Sequence, residues 1–434
     1  MKSLSFHYQN ARIEEKTLLE SIHALDEYTT HLRAVVQTGG YESDEASINL
    51  CDDMEMHQTV ADMVAQKKNP ALKYIFVVGI GGSNLGTYAI YNALQGAYSE
   101  LTDSAMPKII FIDTVSTALV TNLQTILSQK IKNANEICIN VISKSGSTTE
   151  TIALFEILYS LLKNRFESVD ERVVVTTDEN SLLHKMAEEK GFATLFLPKK
   201  VGGRYSVFSA VGLFPLSLAG INTSALLAGA KAMREKCLSE KENPALVSTA
   251  IKYFYYAHDI CITNNFFFNP ELEMAGKWYR QLMGESIGKE HDIHGNVVHA
   301  GITPIVSIGS TDLHSMAQLY FGGPRDKFTC FVYASPDQKI SIPEERVFPE
   351  LVKNIAGKNL EDIMMAIYGG VKAAYQKNEL PFAEILLPEI SEETLGQYLQ
   401  LQMMEMMYLA KAMGVNAFDQ PNVEDYKEET RKLL

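Results

Sequence analysis

The sequence predicts an α/β protein built from two modules with parallel-core sheets. Short apolar runs alternate with amphipathic helical stretches over residues 71–200, and a second alternation follows over 246–413. Several of these runs end in glycine- or hydroxyl-rich segments. Apolar runs of strand length, bounded by turn signals and separated by helices, mark parallel strands covered on both faces.

Composition bounds this reading. The 434 residues are 46% hydrophobic and 21% charged, enough for two or three cores. Lys and Arg number 39 against 53 Asp and Glu, a net charge of −14 that disfavours nucleic acid and anionic membrane surfaces as partners. A phosphorylated ligand therefore needs locally placed positive groups. The N-terminal MKSLSFHYQN has no apolar stretch of signal-peptide type, and the apolar segment 207–221 is short and interrupted by Ser209, Pro215 and Ser217. A soluble, cytoplasmic protein is the expectation. Cys51, Cys138, Cys237, Cys261 and Cys330 form no close pair, which suits buried reduced thiols.

Taken in order, residues 13–36 place Leu18, Leu19, Ile22, Leu25, Leu32 and Val35 at helical spacing, and Gly39 and Gly40 end the run. With a short helix near 57–67 they form an N-terminal helical arm, residues 1–70. Asn69 and Pro70 break the chain before the first α/β domain, 71–200. Its expected strands are 74–78, 108–112, 137–142, 172–176 and 194–197, with helices at 85–95, 117–127, 149–163 and 181–190. A connector, 201–245, is rich in small residues over 201–222 and then turns helical near 224–236. The second α/β domain, 246–413, has expected strands near 260–268, 302–308, 329–333 and 382–387. Helices are expected near 245–256, 271–284, 313–320, 360–375 and 393–413. Residues 414–434 form a C-terminal loop and a helix starting near Val423. No residue-level repeat relates the two modules.

The most informative stretch is 137–162, a buried strand, a polar loop and an amphipathic helix. The loop is Ser143, Lys144, Ser145, Gly146, Ser147, Thr148, Thr149, Glu150. The first N–H groups of a helix lack internal partners and carry partial positive charge, so an anion, above all phosphate, is a natural guest. An ordinary capped start needs only one hydroxyl, from Ser147, Thr148 or Thr149; five exceed that need. No Walker pattern is present, which argues against a nucleotide triphosphate.

The first strand runs into Gly79, Ile80, Gly81, Gly82, Ser83, Asn84, Leu85, Gly86, a sharp turn at the edge where open α/β folds bind ligands. A dinucleotide fingerprint would need glycine where Asn84 stands, with Asp113 as the sole candidate for a ribose partner. Ser83 facing the same anion as Ser143 is the simpler reading. Gly202 and Gly203 precede Arg204, so backbone can approach a ligand while a guanidinium projects toward it; a turn with a surface arginine is the alternative.

The densest polar cluster is Gln281, Gly284, Glu285, Ser286, Gly288, Lys289, Glu290 at a helix end. Gln281 and Glu285 are four apart and share a face, which makes Glu285 a candidate general base, against a merely solvated or paired glutamate. Asp292 with His291, His294 and His299 matches no usual metal spacing, so an exposed polar loop and no metal are expected. His314 lies where Ser310, Thr311 or Asp312 can cap a helix running to Tyr320, at the edge of a pocket.

Together, GIGGSNLG (79–86), SKSGSTTET (143–151), VGGRYS (201–206), QLMGESIGK (281–289), STDLHSMAQL (310–319) and FDQPNVEDYK (418–427) resemble the glucose-6-phosphate isomerase family in order and approximate separation. The resemblance spans about 74–427, and the form of the last motif is similar to the shorter bacterial members. Lys199 and Lys200 depart from the acidic or Asn residue often found before the Gly-Gly-Arg motif.

The resemblance implies two sugar-isomerase (SIS) type αβα sandwiches with N- and C-terminal helical arms, and an aldose–ketose isomerase of glycolysis and gluconeogenesis that interconverts glucose 6-phosphate and fructose 6-phosphate. It places Ser83, Ser143, Lys144, Ser145 and Thr148 around the substrate phosphate, with Gly203, Gln281 and Gln420 also binding substrate. Glu285 matches the base that moves a proton between C2 and C1 through a cis-enediolate, and Arg204 the residue beside the developing oxyanion. His314 and Lys427 match the ring-opening pair, the histidine coming from the neighbouring subunit of a homodimer. No cofactor or metal is implied. A sugar-phosphate-sensing regulator would need the cradle but not Glu285, Arg204, His314 and Lys427 together. Amination of the sugar would need a glutaminase domain with an N-terminal cysteine, which residues 1–49 lack.

Overall fold

The computed structural model describes residues 2–96, 106–336 and 338–434. They divide into two compact units, residues 30–231 and residues 1–29 with 232–434. In chain order the strands are β1 (Ser5–His7), β2 (Tyr74–Val78), β3 (Lys108–Ile112), β4 (Ile137–Ile142), β5 (Val173–Thr177), β6 (Ala193–Phe196), β7 (Ile262–Phe267), β8 (Lys289–His291), β9 (Val297–Ala300), β10 (Thr303–Ile308), β11 (Lys327–Ala334) and β12 (Phe382–Leu387).

In the unit 30–231 the strands form one parallel sheet of order β3-β2-β4-β5-β6. Every residue of β4 and β5 is buried, as strands covered on both faces must be. Helices Leu85–Gln95, Thr117–Lys130, Thr149–Lys163 and Leu182–Lys190 make the crossovers. Leu154, Leu158 and Leu162 form the stripe that the third of these packs into the core with Val141, Val173 and Val175. The chain runs from β2 out to β3 and returns to β4 on the other side of β2. That reversal opens a crevice at the carboxyl ends of β2 and β4, where ligands of open α/β sheets bind. Val78 pairs in register with Val141, so the loops from Gly79 and from Ser143 leave the sheet side by side.

The other unit has a five-stranded sheet of order β1-β12-β11-β7-β10, with β1 antiparallel and the rest parallel. Its parallel strands follow the same path: out from β7 to β10, then back to β11 and β12 on the other side. Here the reversal is closed. The Asn269 amide donates to the Ala334 carbonyl at 2.8 Å and accepts its N–H at 2.7 Å. One face is packed by an aromatic cluster of Phe266, Phe268, Phe331, Tyr368, Tyr375 and Phe382. The helix Glu392–Ala412, buried along most of its length, carries Glu405, whose carboxylate forms a buried ion pair with Lys252 of helix Pro244–Ala257.

Several elements differ from expectation, each for a physical reason. The expected helix 13–36 is two helices, Glu15–His23 and Asp26–Thr38. The Ala24 N–H donates to the Glu20 carbonyl and the Leu25 N–H to the Ile22 carbonyl, which closes the first, while Asp26 and Glu27 favour a new N-terminus. The connector holds a helix, Ala210–Leu218, buried on nearly every side; a helix apolar all round has no period to read. The stretch with His291, Asp292, His294 and His299, expected as a loop, lies in the β8–β9 hairpin. Asp292 accepts the N–H groups of His294 and Asn296, each at 2.8 Å, so turn chemistry occupies the acid. The stretch 313–320 is two short helices, Thr311–Ser315 and Ala317–Gly322. No helix among the described residues is long and apolar enough to cross a membrane.

Candidate active site

In the unit 30–231 three motifs converge by backbone contact. A Cβ on Gly82 would lie 2.2 Å from the Gly203 carbonyl carbon and 2.6 Å from the Arg204 nitrogen, so the 79–86 and 201–206 loops touch main chain to main chain. Only glycine permits that approach. Gly82→Ala is therefore expected to cost about 1–3 kcal/mol by overpacking, read as a lowered urea midpoint with an unchanged denaturant slope. The Ser206 hydroxyl donates to the Gly203 carbonyl at 2.7 Å and holds the turn. Arg204 is not a surface arginine: it is 3% exposed, with its guanidinium carbon 5.4 Å from the Tyr205 ring centroid.

Ser143 is buried, and its hydroxyl lies 3.0 Å from that of Thr148. Thr148 occupies the N-cap position of helix Thr149–Lys163, yet no side chain caps that helix. The orphan donors of the helix start are thus left to a ligand or solvent, as an anion site requires. Gly146 has φ +71°, and a Cβ there would fall 2.8 Å from the Leu183 nitrogen, which fixes the loop against its neighbour. Ser145 and Ser147 are exposed at the loop surface, and Ser83 is half-buried.

Lys144 takes a less obvious place. Its ammonium donates to the carbonyls of Lys199 (2.7 Å) and Val201 (2.9 Å), so it braces the segment leading into Gly202, Gly203 and Arg204. Burial pushes its pKa down. Position 199 contributes its carbonyl to this contact, which any residue supplies, and Lys200 pairs at the surface with Asp44 at 2.6 Å. The Asn84 amide reaches the Asp113 carboxylate at 3.3 Å, so the acid considered for a ribose is engaged by the residue that breaks the dinucleotide pattern.

In the unit of residues 1–29 and 232–434, Glu285 sits in the last turn of helix Glu273–Ile287. Gln281 donates its amide to the Glu285 carboxylate at 2.9 Å, and the buried Gln281 Oε1 has no hydrogen-bond partner. A buried acceptor without a donor is costly, and a ligand hydroxyl would satisfy it. Lys289 Nζ donates to the Glu285 carbonyl and to Asp419 Oδ1, both at 2.9 Å, and also to the Asp419 carbonyl. Sequence reasoning missed this bridge, although a lysine one turn past a helix end was a usable signal.

His314 is exposed on its short helix. Of the three cap candidates, Ser310 holds the N-cap position without a side-chain bond. Asp312 instead accepts the Ile308 N–H at 2.8 Å and the Ser315 hydroxyl at 2.7 Å. Gln420 is exposed, and Lys427 pairs with Glu424 at 2.7 Å on helix Val423–Leu433, which buries no residue. Among the described residues no group of three or more His, Cys, Asp or Glu is arranged to hold a metal ion.

Two sheets whose parallel strands follow a matching path, one ending in open phosphate-type loops and the other in a unit whose helix Glu273–Ile287 presents a glutamine-paired carboxylate, define a sugar-isomerase-type α/β protein. A hypothetical protein from Thermus thermophilus has a solved structure of TM-score 0.86 to this one, at 28% identity over 99% of both chains. A glucose-6-phosphate isomerase from Chlamydia trachomatis gives 0.82 at 19% identity, over 100% of this chain and 88% of its own, a likeness of fold. The glucose-6-phosphate isomerase of Carboxydothermus hydrogenoformans is 34% identical over 86% of this chain and 81% of its own length. The phosphoglucose isomerase profile matches residues 59–434. The chain belongs to the phosphoglucose isomerase family and is an isomerase.

Proposed function

We propose that this protein interconverts glucose 6-phosphate and fructose 6-phosphate by proton transfer between C2 and C1, in glycolysis and gluconeogenesis, as a cytoplasmic homodimer. The observation that carries the reading is family membership across 59–434 together with a carboxylate, Glu285, oriented by Gln281 at a helix end.

Roles follow the matching motifs. Ser83, Ser143, Ser145 and Thr148 bind the phosphate at the uncapped helix start, and Lys144 adds charge and braces the Gly-Gly-Arg segment. His314 and Lys427 open the sugar ring. Glu285 removes the C2 proton of the open aldose and returns it to C1. The C–H next to a carbonyl is a weak acid, so the charge that develops on the enediolate oxygen must be stabilised, and the permanently charged Arg204 supplies this. Gly203, Gln281 and Gln420 bind the sugar. Binding energy from the remote phosphate is available to orient the reacting carbons for proton transfer. The exposure of His314 supports a histidine that serves the neighbouring subunit, and helix Val423–Leu433, which buries nothing, supports one that closes on substrate.

The test is turnover of fructose 6-phosphate to glucose 6-phosphate by purified protein, followed through a coupled dehydrogenase. Sustained turnover supports the reading; binding without turnover would mark a sugar-phosphate sensor and overturn it. In the same assay Thr148→Val, which keeps shape but removes the hydroxyl, is expected to raise KM about tenfold with little change in kcat. That is the size of one hydrogen bond to a charged group, lost equally from ground and transition states.

A further inference from the structure

We infer that Lys289 is a positioning residue that locks the 419–422 segment to the end of the helix carrying Glu285; this rests on the isomerase reading above. Lys289 is the first residue of β8, one turn beyond Glu285, and its side chain is only 5% exposed. An ammonium offers its donors in a tripod, and the acceptors facing it here include the Glu285 carbonyl, the Asp419 carbonyl and Asp419 Oδ1. The cation also sits at a helix C-terminus, where the macrodipole favours it. A Cβ on Gly288 would lie 2.4 Å from the Gly284 carbonyl oxygen, so only a glycine turn this tight returns Lys289 over the helix end.

The next residue completes the grip. Glu290 Oε2 accepts the Asn422 side-chain amide at 2.7 Å, and Asn416 donates to Asp419 Oδ2 at 3.1 Å. Gln420 is thereby flanked by two anchored positions, 419 and 422, both held from consecutive residues of β8. Helix Val423–Leu433 begins directly after Asn422 and buries no residue of its own, so these contacts set where it starts and where Lys427 stands. Lys289 ties the main chain of Glu285 to the segment bearing Gln420 and Lys427 without touching substrate itself. Removing it leaves the Glu285 side chain and the phosphate loops in place, but frees the segment to drift.

Lys289→Met keeps the length and removes the donors. Its kcat for fructose 6-phosphate is expected to fall about 10²-fold with KM little changed, the size of a misplacement of about 1 Å. Lys289→Arg, which keeps the charge and several donors, is expected to recover most of the loss. Hydrogen exchange of the amides of 416–427 is expected to be faster in the Met variant, and this readout needs no catalysis. Parental kcat, or parental exchange in that segment, would overturn the inference. Should the Met variant fail to fold, the double variant Asp419→Ala/Glu290→Ala, at partly exposed side chains, decides by the same two measurements. An inactive parent would sink the isomerase reading alone, and exchange would still decide the latch.

Discussion

Replacing Glu285 by glutamine is expected to lower kcat by about 10²- to 10⁴-fold, the usual contribution of a positioned acid–base group, while fructose 6-phosphate still binds. Glutamine has the same shape, and its amide oxygen can accept from Gln281 as the carboxylate does at 2.9 Å. The helix end is unaffected, because Lys289 bonds the backbone carbonyl of position 285 rather than its side chain. What the variant loses is a group able to accept and return a proton. Steady-state kinetics beside equilibrium binding of fructose 6-phosphate separates the two effects. A variant with parental kcat would remove Glu285 from the mechanism.

The largest loss of stability is expected from Lys252→Met. Lys252 and Glu405 are each 1% exposed at the side chain, and the Ser248 hydroxyl and the Tyr279 phenol, at 3.1 Å, also donate to the Glu405 carboxylate. Removing one member of a buried ion pair strands the other charge, at a cost of about 3–5 kcal/mol. For a unit of this size that lowers the melting temperature on the order of 10 °C. Replacing both, as Lys252→Met with Glu405→Leu, is expected to recover much of the loss, because an apolar pair leaves no stranded charge. Calorimetry on the single and double variants checks both statements; a double variant as unstable as the single would assign the loss to packing. Tyr279 shares its helix with Gln281 and Glu285, so the pair also anchors the element that presents the candidate base.

Much of this was legible in one dimension. Parallel sheets, their crossover helices and the phosphate-type loops announce themselves through local signals: apolar runs such as Ile137–Ile142, helical spacing after Thr149, and glycines and hydroxyls at strand ends. The family resemblance rests on motifs that are contiguous in sequence, so it too was readable. That Gln281 and Glu285 share a face followed from a spacing of four on one helix, whereas the hydrogen bond between them came from the structure.

Sequence by itself determined the fold class, the family and the identity of the candidate residues, because each is written in local periodicity or in an unbroken motif. Tertiary structure alone decided the rest. Pairing of the three-residue β1 against β12 lies beyond any local pattern, since its partner is far along the chain. The matching strand path of the two sheets leaves no residue-level repeat, because topology constrains burial rather than identity. The backbone meeting of Gly82 with Gly203, the turn of Lys144 toward the 199–201 carbonyls, and the Lys289 bridge to Asp419 all join residues distant in sequence. Such contacts depend on where folded elements lie in space, and a linear pattern carries no record of that.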